Sequence, residues 1–167
     1  MHLMRAESPG PSVGKLVPKV RSTAKILYEI YSFLTIVLMI LLVISGCPVF
    51  DSINLAFATA GTGGFAVLNS SAADYNAATQ WILTIFMILF GVNFNVYFLF
   101  YVKKWKDGLR CEEARAYFGI ILGSVALISF NIYHLVRNVE LTVRQAAFQV
   151  ASIITTTGFG SADFDQW

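Results

Sequence analysis

The sequence predicts an all-α integral membrane protein built from units of transmembrane helix, re-entrant pore helix with filter loop, and transmembrane helix. Three observations carry this expectation. Hydrophobic residues make up 56% of the chain and charged residues only 13%, against about 25% charged in a soluble domain. Three apolar runs, 26–46, 81–102 and 116–136, reach the roughly 20 helical residues that cross a bilayer. Two shorter apolar segments, after the first and third runs, each end in a threonine-glycine loop, "GTGGFA" from Gly61 and "TTTGFG" from Thr155.

The first run follows a polar segment, 1–25, and holds one charge, Glu29, near its start; the other two runs hold none until Lys103 and Arg137. "VISGC" at its end could be read as a lipoprotein cleavage box. The polar leader, the length of the run and the spans behind it argue instead for a helix that ends at Gly46, with Pro48 as its stop. Basic residues orient the chain. Arg5, Lys15, Lys19, Arg21 and Lys25 precede the first span, and Lys103, Lys104, Lys106, Arg110 and Arg115 lie between the second and third. Both segments are therefore expected in the cytoplasm. Cys47 and Cys111 then fall on opposite sides, so no disulfide between them is expected.

Shifting the chain by 94 residues lays Asp51–Ala66 over Gln145–Gly160 without a gap, with Thr62 on Thr156 and Gly64-Phe65 on Gly158-Phe159. The first unit reads as 26–102, with a pore helix over about 52–60 and a filter over 61–65. The loop 103–115 separates it from a partial second unit, 116–167, with a pore helix over about 143–154 and a filter over 155–160. Asp51 or Ser52 is expected to cap the first pore helix, and Thr142 with Gln145 the second. Neither helix is long enough to cross the membrane. The 47–80 segment must therefore enter and leave by the outer face. Irregular backbone at membrane depth is tolerated only when buried in protein or lining a water-filled path. A buried kink would explain one such loop; two at matched positions point to permeation.

A dehydrated monovalent cation needs several oxygen ligands without full negative charge. The expected ion-binding residues are Gly61, Thr62, Gly63, Gly64, Thr155, Thr156, Thr157, Gly158 and Gly160. The glycines would supply positive φ, and the hydroxyls either a ligand or a tie to the pore helix. Phe65 and Phe159 read as packing wedges. Asp74, Asp163 and Asp165 lie on the outer side, where they either concentrate cations or are ordinary solvated charges. Asn93 and Asn95, in "GVNFNVYF", read as bonds to neighbouring helices, and His134 as an interfacial residue. No nucleophile-and-base arrangement, phosphate loop or metal motif is present, so an enzyme is not expected. The net charge of +2 does not suggest nucleic acid.

"RAESPGP", "KLVPKV", "AFATAGTGGF", "FGVNFNVYFLFY" and "AFQVASIITTTGFGSADFDQW", in this order, resemble the Trk/Ktr/HKT potassium transporter superfamily and its bacterial TrkH branch. The resemblance covers essentially the whole chain. It implies the second of four units and the front of the third. The first and fourth units would be missing, as would the third unit's inner helix with its intramembrane gating segment. It also implies filter positions at Thr62, Gly63, Gly64, Thr156, Thr157 and Gly158, and a bacterial inner-membrane location. It further implies a homodimer, a cytosolic nucleotide-binding subunit of the TrkA/KtrA kind, K+ as the transported ion with Na+ as the alternative, and no covalent cofactor. Two other readings stand beside it: a sodium-coupled carrier with broken helices, and a non-conducting assembly subunit.

Overall fold

Residues 20–101 and 111–162 are described by the computed structural model. Among them there is no strand. The order is α1 (Val20–Ile44), α2 (Val49–Ala60), α3 (Ala77–Gly91), α4 (Phe94–Tyr101), α5 (Glu112–Val136) and α6 (Val139–Ile154). α1, from Ala24, and α5 are long and apolar enough to cross a membrane. α2 and α6 are the short helices of the two units.

α1 stops two residues before Gly46. That glycine takes φ 92° just past the helix end, while its N–H and that of Cys47 bond to the carbonyls of Val43 and Leu42. This is a Schellman stop with glycine in the left-handed position. Pro48 then occupies the N-cap of α2. Neither Asp51 nor Ser52 caps that helix: Asp51 accepts a hydrogen bond from Tyr75 and Ser52 bonds to the carbonyl of Cys47. In the second unit the cap is Asn138, whose side chain accepts from Leu141 N–H at 3.2 Å. α6 therefore begins at Val139, and Thr142 is buried within it instead of capping it.

The expected 81–102 span is two helices. Asn76 caps α3 by accepting from Thr79 N–H at 2.8 Å, and α3 ends at Gly91. Val92 is extended at φ −69°, ψ 138°. The backbone carbonyl of Asn93 accepts from Val96 N–H as the next helix begins. A break exposes the last carbonyls of a helix, and tyrosines from elsewhere take two of them. Tyr117 of α5 donates to Ile88 O at 3.1 Å, and Tyr97 of α4 to Leu89 O at 2.6 Å. The position is supported through space by side chains the local pattern does not announce.

α1 packs on α2, α3 and α4, and α6 packs on α3 and α5. Leu38, Leu42, Leu55, Leu83, Met87, Phe148 and Phe159 form the shared core. Two hydroxyls inside it return to carbonyls one turn back, Thr59 to Leu55 and Thr84 to Gln80, which spares these two donors the cost of burial without a partner. Large apolar side chains such as Phe33, Ile36, Leu127 and Phe130 face outward, as they must where the solvent is lipid.

Candidate functional site

The two loops begin where α2 and α6 end, and the chain turns the same way at both places. Gly61 N–H bonds to Phe57 O, Thr62 N–H to Thr59 O and Gly63 N–H to Ala58 O, at 2.8, 3.2 and 2.7 Å. Moving each residue by 94 gives Thr155 to Ala151, Thr156 to Ile153 and Thr157 to Ser152, at 3.1, 3.0 and 2.9 Å. Both are Schellman stops like that of α1. The difference lies in the left-handed residue, which is Thr62 at φ 49° and Thr156 at φ 58°. Glycine is usual there; a β-branched residue in that conformation is uncommon and costs about 1–2 kcal/mol.

Two residues on, Gly64 and Gly158 also have positive φ, 66° and 90°. Positive φ was expected at the glycines, and at these two it is found. Gly61 is at φ −85°, and Gly63 and Gly160 are not among the positive-φ residues. The bends at the start of each loop are made by threonine instead. Each loop thus carries positive φ at every second residue, 62 and 64 or 156 and 158.

Those loops keep a set of carbonyls free. Among the described residues no hydrogen bond reaches the carbonyl oxygens of Thr62, Gly63, Gly64, Thr156, Thr157 or Gly158. In the second loop the next two carbonyls are engaged: Phe159 O accepts from the buried Ser152 hydroxyl at 2.7 Å, and Gly160 O from Ala72 N–H at 2.8 Å. There the free set ends where the ties begin.

The threonine hydroxyls differ in use. Thr155 Oγ1 bonds to Ala151 O and shares a hydrogen bond with Thr157 Oγ1, both at 2.7 Å. These two tie the second loop to its helix, and both residues are buried. Thr62 and Thr156 are exposed. Phe159 is buried as a wedge, while Phe65 is 80% exposed.

The loops lie against each other. A Cβ on Gly64 would sit 3.2 Å from the Cα of Gly158, and Ser71 Oγ accepts from Gly160 N–H at 3.1 Å. Gln80, buried in the first turns of α3, donates to the carbonyls of Ala72, Ala73 and Tyr75, at 2.9, 3.2 and 3.2 Å. Tyr75 in turn donates to Asp51 at 2.8 Å. Burial and then this bond push the Tyr75 hydroxyl well above its ordinary range. Sequence reasoning missed Gln80 and Ser152. A lone amide and a lone hydroxyl inside apolar runs were the available signals.

Asp74 is exposed and accepts from the Ser70 hydroxyl at 2.6 Å, while Asp163 and Asp165 lie outside the described residues. Asn93 donates to Glu113 at 2.6 Å, the interhelical role expected of it, and Asn95 falls within α4. Cys47 and Cys111 are both free thiols. Cys47 is buried between α1 and α2, and burial raises its pKa.

Long apolar helices, two short ones that end in matched loops, and apolar side chains facing outward define a polytopic helical membrane protein. The chain belongs to the TrkH family: the family model described as "Cation transport protein" matches residues 1–167. Relatives include the Trk system potassium uptake protein TrkH of Salmonella typhimurium, 34% identical over 172 residues, and that of Escherichia coli (strain K12), 33% over 175. The Trk system potassium uptake protein TrkI of Halomonas elongata is 26% identical over 171 residues. In all three the match covers 100% of this chain and 34–36% of the relative. The chain thus spans about a third of their length.

Proposed function

We propose that this chain is a pore-forming part of a Trk-type potassium uptake protein, in which dehydrated ions pass along the carbonyls of the two loops. The observation that carries this reading is the matched set of carbonyls at 62–64 and 156–158 that no hydrogen bond among the described residues reaches. In an ordinary extended chain successive carbonyls point to opposite sides. A chain whose φ changes sign from residue to residue can turn them to one side, where they replace an ion's hydration shell. The C-terminal ends of α2 and α6, each with about −0.5 charge, favour a cation at the same place.

Each loop supplies part of a ring, and the rest of the ring comes from polypeptide not contained in these 167 residues. By its likeness to the family the complete protein lies in a bacterial inner membrane as a homodimer and meets a cytosolic nucleotide-binding subunit. The N-terminus of this chain faces the cytoplasm by its basic residues.

The test is Gly158→Ser in an uptake-competent protein. This is either the complete polypeptide or a graft of residues 1–167 into the matching third of the Salmonella relative. Nothing lies within 4 Å of a Cβ on Gly158, so the side chain fits while the left-handed backbone is penalised. Weaker potassium uptake with a larger sodium share is expected. Gly119→Ser on α5, where a Cβ also meets nothing within 4 Å, controls for general damage. Unchanged selectivity at normal protein level would remove Gly158 from the ion path.

A further inference from the structure

We propose that Gly91, at the break between α3 and α4, is a filter-positioning residue that acts through Thr155. The inference rests on the carbonyl-filter reading and adds a residue that lies outside both loops.

α3 ends on the underside of the second loop. A Cβ on Gly91 would lie 2.6 Å from Thr155 Cγ2 and would overlap the hydroxyl of Tyr117. Only a residue without a side chain lets the helix end come this close. Thr155 is 7% exposed and fully engaged, its hydroxyl held by Ala151 O and by Thr157 Oγ1. Those two bonds hold the side chain in its rotamer, so the methyl cannot turn aside without breaking them. A methyl group on Gly91 therefore pushes Thr155, and Thr155 carries the push through the shared hydrogen bond to Thr157, whose carbonyl is one of the free set.

Tyr117 answers differently. Its hydroxyl is the far end of a side chain that can swing, at the cost of one bond to Ile88 O. The same patch meets the first turn of α5, where Asn93 is tied to Glu113.

The experiment is a double-mutant cycle on the potassium-to-sodium transport ratio, measured in the same uptake-competent protein. Gly91→Ala alone is expected to lower the ratio about tenfold, which corresponds to roughly 1.4 kcal/mol. Added to Thr155→Ser, which removes the methyl and keeps the hydroxyl, Gly91→Ala is expected to cost little more than Thr155→Ser alone. Added to Tyr117→Phe, it is expected to cost the full factor. A loss that is the same in the Thr155→Ser background, or that is relieved only by Tyr117→Phe, overturns the proposal.

If Gly91→Ala fails to accumulate, the readout becomes protein level in the two double variants. Rescue by Thr155→Ser supports the contact, and rescue by Tyr117→Phe alone overturns it. Gly158→Ser separates the two readings. If it alters selectivity while Gly91→Ala does not, only the role of Gly91 falls; if neither alters it, the filter reading falls as well.

Discussion

Gly64 stands against the backbone of Thr157, so closely that a Cβ there would overlap the Thr157 carbonyl oxygen and approach Gly158 C to 3.1 Å. Gly158, its counterpart 94 residues on, has open space at the same position. The loops match in φ but not in surroundings, because the first loop leans on the second and the second leans on Ser71 and Ala72.

This asymmetry separates two substitutions that the repeat alone would equate. Gly158→Ala meets only the backbone penalty, about 1–2 kcal/mol. Gly64→Ala meets that and an overpacking cost of about 1–3 kcal/mol. Thermal melting of the purified protein in detergent is expected to rank wild type above Gly158→Ala, and Gly158→Ala above Gly64→Ala. Equal losses would argue against contact between the loops.

Thr156→Gly runs the other way. It relieves the left-handed strain at φ 58°, so the variant is expected to melt at or above wild type, by up to about 1 kcal/mol. Rubidium uptake by the complete protein is nevertheless expected to fall, since a freer backbone no longer holds the neighbouring carbonyls in place. A variant that melts higher and transports normally would show the threonine to be dispensable.

Burial of the Tyr75 hydroxyl, and then its bond to Asp51, predict a pH dependence in the alkaline range. The folded state holds the Tyr75 proton beyond its ordinary value of 10.0, so the unfolded chain releases that proton first as pH rises. The stabilisation is complete at neutral pH and fades once pH passes the ordinary value toward the raised one. Melting temperatures between about pH 8 and about pH 11 should fall more steeply for wild type than for Tyr75→Phe. Parallel slopes would detach Tyr75 from the effect.

Topology is checked by labelling. Asn69 is exposed in the turn after the first loop, and Ser71 beside it is engaged with Gly160. In a Cys47→Ala, Cys111→Ala background, Asn69→Cys is expected to react with an impermeant maleimide from outside and Lys106→Cys only from inside. Reaction of both from one face would contradict a loop that enters and leaves by the outer surface.

The long apolar helices were legible because membrane spans are announced by composition over about 20 residues. Gly64 and Gly158 were legible because glycine is the ordinary way to reach positive φ. Thr62 and Thr156 were not, since local preference argues against left-handed threonine and only the stop at each helix end holds it there. The break at Gly91 was passed over for a similar reason. Gly91 and Asn93 were visible, but the tyrosines that satisfy the opened carbonyls come from α4 and α5. Asn138 outran the Thr142 cap because it came four residues earlier and already offered an amide oxygen.

Those four residues have a consequence of their own. Set on the first unit, α6 would start at Val143; it starts at Val139, one turn or about 6 Å further from its loop. The added turn bears Glu140, whose carboxylate accepts from the Trp81 indole of the preceding unit at 3.2 Å and faces Arg144 at 3.5 Å. α2 has no matching turn, so the two copies have ceased to be spare parts for each other. A shuffled gene that placed the first unit where the second belongs would keep both loops yet leave Trp81 without its carboxylate. The order of the units has become part of the architecture, as a tenon cut for one mortise fits no other.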